Sequence, residues 1–269
     1  KINIKNNFSF NDYFEDANIN SKNLTEKIDK DGHTDTFLLK KKIKDKILKE
    51  IFSNKDIDYK KNFLLNRKSL VKKDNEDLSL YFRRLSNDNI SRITGFIDLK
   101  KESSIKSFLV SKPMVSLAQN YLNSKTFSIS SSFFISNPCQ VNKEEQYKNA
   151  QYFHWDNDFS KFLKLYIYLT DVDEDSGPHI FIPKTHKKKF IQTSLCRLYD
   201  DNLIYNTYDK KIKFVGKSGS LFFADGYGLH KGETPKKKSR LIINAHFGRN
   251  KILYSDKDIF YDSNFNCKI

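Results

Sequence analysis

The strongest constraint in this sequence is a change of period near residue 126. From Thr126 to Ser136 the chain reads TFSISSSFFIS, with Phe127, Ile129, Phe133 and Ile135 at alternate positions and serines between. Successive side chains of a strand point to opposite faces, so the alternation predicts a β-strand with one apolar face. Phe162 to Thr170 (FLKLYIYLT) repeats the pattern: Leu163, Leu165, Ile167 and Leu169 share one face, and Lys164, Tyr166 and Tyr168 the other. Shorter strands are expected around His179–Ile182, Phe190–Thr193, Ile212–Val215, Ser220–Ala224 and Leu241–Phe247. Turn signals divide them, at Ser176-Gly177-Pro178, Lys217-Ser218-Gly219 and Asp225-Gly226. Many short strands joined by turns predict a sandwich or barrel rather than alternating strand–helix units.

Before residue 126 the pattern is polar, then helical. Residues 1–32 are polar, with scattered Phe8, Phe10, Tyr13 and Phe14. From about Asp35 to Phe52, apolar residues recur at helical spacing (Leu38, Leu39, Ile43, Ile47, Leu48, Ile51). Asp77 to Leu85 holds a second short amphipathic run, and Glu102 to Leu122 a third, interrupted by Pro113. Proline there suits a break or the first turn of a new helix. The 269 residues are expected to form one domain. It comprises a mostly helical and irregular part to about residue 125, a β core over about 126–250, and a tail at 251–269. The tail's Ile259-Phe260-Tyr261 patch is expected to pack back on the core.

Composition narrows the function. Lys and Arg number 48 against 33 Asp and Glu, a net charge of +15. Such a charge attracts anions: nucleic acid, anionic lipid, or phosphorylated and carboxylated small molecules. The sequence carries no helix-turn-helix, zinc-finger or RRM-like signature, so a small-molecule substrate is expected ahead of nucleic acid. Lys, Asn, Ile and Ser crowd every region, so compositional bias is a second source of the charge. Cys139, Cys196 and Cys267 are far apart and odd in number, which speaks against a disulfide framework and for a reducing compartment. No apolar run approaches membrane-spanning length, and Lys1 to Phe10 contains no apolar signal region, so a cytoplasmic location is expected.

The residues that carry chemistry begin at Gln151-Tyr-Phe-His-Trp-Asp-Asn-Asp158, which contains His154-x-Asp156. On an extended segment, residues two apart point the same way, so one imidazole and one carboxylate converge on one cation. The best third ligand is His230, in Asp225-Gly-Tyr-Gly-Leu-His-Lys-Gly232, just after an expected strand. Two histidines and one carboxylate on one face of an octahedral ion leave positions open, the facial triad of non-haem Fe(II) oxygenases. Arg240 follows ten residues later and opens the strand RLIINAHF. A guanidinium inside a β barrel needs an anionic partner, and the far carboxylate of 2-oxoglutarate provides one.

With these residues in place the chain resembles the phytanoyl-CoA dioxygenase family of Fe(II)/2-oxoglutarate oxygenases. The resemblance runs from about Thr126 to Gly248. Its best blocks are Phe153–Asp156, Lys164–Lys187 (KLYIYLTDVDEDSGPHIFIPKTHK), Gly219–Gly232 (GSLFFADGYGLHKG) and Ser239–Gly248 (SRLIINAHFG). It implies a mainly β fold, a double-stranded β-helix (jelly roll, cupin-like) with flanking helices. It implies iron held by His154, Asp156 and His230, and 2-oxoglutarate held by Arg240. Tyr166 falls where many members place an aromatic beside the cosubstrate, a plain packing role being its alternative. The implied reaction is hydroxylation of a small organic molecule with O2, releasing succinate and CO2. Relatives that halogenate lack the carboxylate ligand, so Asp156 predicts hydroxylation. Many members read PGSH where this chain has Pro183-Lys-Thr-His186. His179, His186 and His246 are expected to be structural, and Trp155, between two ligands, to face away from the metal. Two rivals remain: an oxygenase of protein or nucleic acid, which the charge encourages, and a non-catalytic metal-binding module, which the intact ligand set opposes.

Overall fold

Strand β4 (Thr126–Ser136) is the longest among the described residues and organises the larger sheet. The computed structural model describes residues 9–15, 19–53, 58–60, 72–73, 76–157, 161–189, 198–249 and 257–262. The other strands are β1 (Phe37–Leu38), β2 (Asp58–Lys60), β3 (Arg92–Phe96), β5 (Phe153–His154), β6 (Phe162–Tyr168) and β7 (His179–Phe181). They continue with β8 (Leu198–Tyr199), β9 (Ile212–Phe214), β10 (Ser220–Asp225), β11 (His230–Gly232), β12 (Arg240–Gly248) and β13 (Ile259–Asp262). The larger sheet runs β1-β10-β6-β12-β4-β3-β2, and β13 joins β4 on the same edge as β3, further along the strand. The second sheet runs β8-β5-β11-β7-β9, and every pairing in both is antiparallel.

Alternation sorts the side chains into layers. On the larger sheet, Leu163, Leu165, Ile167, Leu241, Ile243 and Phe247 join an apolar cluster with the N-terminal helices. The opposite face sends Tyr166, Tyr168, Phe222 and Ile242 inward, where they meet Phe181 and Phe214 of the second sheet. That shared cluster makes the two sheets the walls of a jelly roll. The outer face of the second sheet, with Phe153, Ile180 and Leu229, is covered by Ile204 of a helix at Asp201–Thr207. Each fully buried Phe or Ile adds roughly 1.5–3 kcal/mol relative to exposure, and Phe127, Phe133, Phe223 and Phe247 are all fully buried.

The helices between residues 35 and 125 lie where the apolar spacing predicts, with shifted ends, whereas the first falls in the polar stretch 1–32, where none is expected. Helix α1 (Ser21–Asp31) is capped by Asn20, whose side chain accepts from Asn23 N, and it stops at Gly32, whose φ of 86° is left-handed. The helix expected from Asp35 starts later, as α2 (Lys41–Ser53). Phe37 and Leu38 are instead paired with Leu221 and Ser220, covering the edge of β10. Helix α3 (Leu78–Asn87) begins at an Asp77 cap. Pro113 divides α4 (Ser104–Leu109) from α5 (Lys112–Leu122), sitting in the first turn of the latter. Ile259–Asp262 of the tail pairs with β4. The strand expected at Phe190–Thr193, together with Cys196 and Cys267, lies outside the described residues, whereas Cys139 is a free thiol. No helix among the described residues is long and apolar enough to cross a membrane.

Candidate metal centre

His154 in β5 and His230 in β11 are direct partners across the second sheet. Directly opposed residues share a face, so both imidazoles project into the space between the sheets, with ring centroids 4.4 Å apart. Each Nδ1–H donates to a main-chain carbonyl two residues back, Tyr152 O at 2.9 Å and Gly228 O at 2.8 Å. A carbonyl can only accept, so the proton is fixed on Nδ1 and the lone pair on Nε2 is free for a metal. Asp156 is held by its own N–H on Gly226 O at 2.9 Å. Its Oδ1 lies 3.7 Å from His154 Nε2 and its Oδ2 3.6 Å from His230 Nε2. One ligand atom from each of the three residues lies within 4.8 Å of the others, a spacing that fits a single cation.

The electrostatics agree with that use. Burial alone would raise the Asp156 pKa, but the Lys164 ammonium opposes it most strongly and the carboxyl is held far below its usual range. Burial lowers both histidines, and Lys164 adds to this, so the rings stay neutral and able to ligate. Lys164 itself, from the inner face of β6, is buried and ion-paired with Asp156 Oδ2. Burial would favour its neutral form, yet Asp156 more than compensates and keeps it charged.

Arg240 begins β12 and points into the same pocket of about 210 Å³. It is 6% exposed, and its Nε and Nη1 have no hydrogen-bond partner. Burial lowers its pKa, and no ion pair to it is formed among the described residues. Tyr166, the next inward residue of β6 after Lys164, stacks on Phe222 at 5.0 Å and borders the pocket. The structure therefore brings all five expected site residues, His154, Asp156, His230, Arg240 and Tyr166, to one cavity. A wider groove of about 540 Å³ beside Tyr147, Tyr152 and Tyr199 contains none of them.

Of the other residues lining the pocket, three carry basic side chains that their sequence context did not single out for it: Arg92, Lys164 and His179. Arg92 stands on β3 with its guanidinium 4.1 Å from the Phe134 ring centre, and it donates to Asn149 O. Burial and the neighbouring Arg240 lower its pKa to about 10. His179, expected to be structural, borders the cavity. His186 lies elsewhere, its Nε2 bonded to Asp29 O at 3.0 Å, whereas His246 stands opposite Lys164 beside the pocket, its Nε2 2.9 Å from Nδ2 of the lining residue Asn244. Trp155 turns away from the centre and packs edge-on against Tyr227, ring centroids 4.8 Å apart.

The loop that carries His230 is anchored to the N-terminal part. Asp225, buried at the end of β10, accepts from the Tyr121 hydroxyl of α5 and from Tyr227 N at 2.8 Å. Burial raises the Asp225 pKa against the pull of these two donors.

The phytanoyl-CoA dioxygenase (PhyH) family model matches residues 73–240. Among solved structures, HygX from Streptomyces hygroscopicus, bound to nickel, 2-oxoglutarate and hygromycin B, superposes with a TM-score of 0.57 at 9% identity, covering 86% of this chain and 88% of that one. The epimerase SnoN, in complex with Fe3+, alpha ketoglutarate and nogalamycin RO, gives 0.55 at 14% identity, covering 85% and 83%. EctD from S. alaskensis with bound Fe gives 0.55 at 12% identity, covering 91% and 80%. At these identities the likeness is one of fold. No curated protein matches the chain by sequence.

Proposed function

The chain belongs to the phytanoyl-CoA dioxygenase family, and we propose that it is an Fe(II)- and 2-oxoglutarate-dependent oxygenase that hydroxylates a small organic molecule. The observation that carries the reading is the pairing, in one pocket, of two free Nε2 atoms and a carboxylate with an unpartnered buried guanidinium. Both halves fit the groups proposed for them. The first is the donor set of a facial-triad iron, and the second is a cation lacking an anion. When bound, iron and 2-oxoglutarate together supply the oxidising chemistry, with O2 consumed and succinate and CO2 released.

This chain's own residues do the rest. His154, Asp156 and His230 would hold the iron, oriented by the two main-chain carbonyls and the Gly226 contact. Lys164 keeps Asp156 ionised. Arg240 would take the far carboxylate of 2-oxoglutarate, with Tyr166 bordering it, and Phe134 and Ile242 keep the pocket wall apolar. The carboxylate ligand argues for hydroxylation over halogenation, since Asp156 would take the position that is free for halide in relatives lacking the carboxylate. The substrate is small and anionic. The neighbours HygX and SnoN hold small organic molecules, and Arg92 supplies a second, half-buried guanidinium with no carboxylate paired to it among the described residues. Three widely spaced cysteines, of which Cys139 is a free thiol, support a reducing, cytoplasmic setting. Residues 1–269 act as one oxygenase domain, the helical part to about 125 backing the core through the Tyr121–Asp225 bond.

Anaerobic loading with Fe(II), followed by O2 and labelled 2-oxoglutarate, tests the reading. Labelled succinate is expected, accelerated by anionic candidate metabolites. No succinate under any condition leaves a metal-binding module.

A further inference from the structure

We propose that His179 is a second donor to the far carboxylate of 2-oxoglutarate, acting beside Arg240 as a positioning residue. This rests on the reading of the pocket given above.

His179 opens β7 and is paired directly with Gly232 of β11. Directly opposed residues share a face, and His230, two residues before Gly232, projects into the pocket from that face. His179 therefore projects inward as well. Its ring lies 5.3 Å from that of His230 and 4.4 Å from that of Tyr166. The strand start is pinned by its own N–H, which donates to the Tyr168 hydroxyl at 3.1 Å. The imidazole is 5% exposed, and its Nε2 has no partner.

The residue opposite explains what Nε2 faces. Gly232 has no side chain, and a Cβ built there would stand 2.9 Å from Arg240 Nη2. The guanidinium thus fills the room that a side chain across from His179 would take. Imidazole and guanidinium border one gap, and Nε2 of the first and Nε and Nη1 of the second are all unpartnered. Glu233, the carboxylate whose charge reaches Arg240, forms no ion pair with it and lies 3.5 Å from Lys213, which is itself paired with Glu174. Buried groups of this kind are unfavourable without a partner. A carboxylate has two oxygens and several lone pairs, so one oxygen meets the guanidinium while the other meets the imidazole N–H.

Calorimetric titration of the Co(II)-loaded protein decides the point without turnover. Two ligands are compared: 2-oxoglutarate, and 2-oxopentanoate, which lacks the far carboxylate. His179→Phe keeps the ring stack and deletes the donor, and His179→Leu serves if that variant does not fold. The expected result is 2-oxoglutarate bound roughly tenfold more weakly, the size of one lost hydrogen bond to a charged group, with 2-oxopentanoate unchanged. His179→Gln, which restores an N–H, should recover most of the loss. Equal weakening of both ligands, or no change for 2-oxoglutarate, overturns the assignment and leaves the cosubstrate reading intact. A wild-type protein that does not bind 2-oxoglutarate at all overturns both.

Discussion

Arg92 and Arg240 are both registered to Ser136, one from each side of β4. Two guanidinium groups therefore enter one cavity from the two strands that flank β4, and the Arg240 charge disfavours that of Arg92 unless an anion sits between them. With Arg240 assigned to the cosubstrate, Arg92→Gln is expected to raise the substrate KM by one to two orders of magnitude, since losing one partner of a buried charge pair costs about 2 kcal/mol or more. The affinity for 2-oxoglutarate should stay near wild type. A 2-oxoglutarate Kd that rises with Arg92→Gln would reassign Arg92 to the cosubstrate.

Arg240→Ala should weaken 2-oxoglutarate by roughly two to three orders of magnitude, because removing one partner of a desolvated pair costs about 3–5 kcal/mol. Arg240→Lys should recover part of this, keeping the charge but not the planar fork. Iron binding should hardly change. The check is an anaerobic titration of the Fe(II)-loaded variants, in which an unaltered affinity places the cosubstrate elsewhere.

His230→Ala and His154→Ala should each abolish tight Fe(II) binding and succinate formation, since each removes one of only three ligand side chains. Metal content after desalting is the readout, and near-native iron in either variant is incompatible with the triad.

Lys189 offers a pH signal away from the ligands. Its Nζ lies 3.5 Å from the Tyr227 ring centre and 5.1 Å from that of Trp155, the only tryptophan. Burial pulls its pKa down to about 8, with Asp225 opposing. The unfolded value is about 10.4, so the protonated form costs stability below the folded value. That cost is relieved as pH climbs through the window between the two. Trp155 emission should change with a midpoint near pH 8 as the cation leaves the rings. The transition should vanish in Lys189→Met; its survival there would mean that another group is being observed.

Much of the site was legible because its chemistry sits in local patterns. His154 and Asp156 are two apart on an extended segment, and His230 and Arg240 flank one turn between strands. Strand alternation placed Lys164 and Tyr166 on a common face, opposite the leucines, but not whether that face was inside or out. Arg92 could not be found this way. It is one of 48 basic residues, in the ordinary context SRITGF. Only the pairing of β3 with the far end of β4, more than thirty residues later, brings it to the pocket. His179 was hidden for a related reason: its meaning comes from Gly232, a neighbour across the sheet and fifty-odd residues away in sequence. The late start of α2 has the same origin, since Phe37 and Leu38 obey a distant strand edge over their own helical spacing.

Both metal-facing imidazoles are oriented by main-chain carbonyls, those of Tyr152 and Gly228. A side-chain carboxylate in that role could be deleted by one nucleotide change, whereas a carbonyl survives every substitution at its own position. The aim of the two rings is thus insulated from genetic drift in the surrounding shell. A lineage built on this arrangement is free to exchange pocket residues, and with them substrates, while its metal site persists.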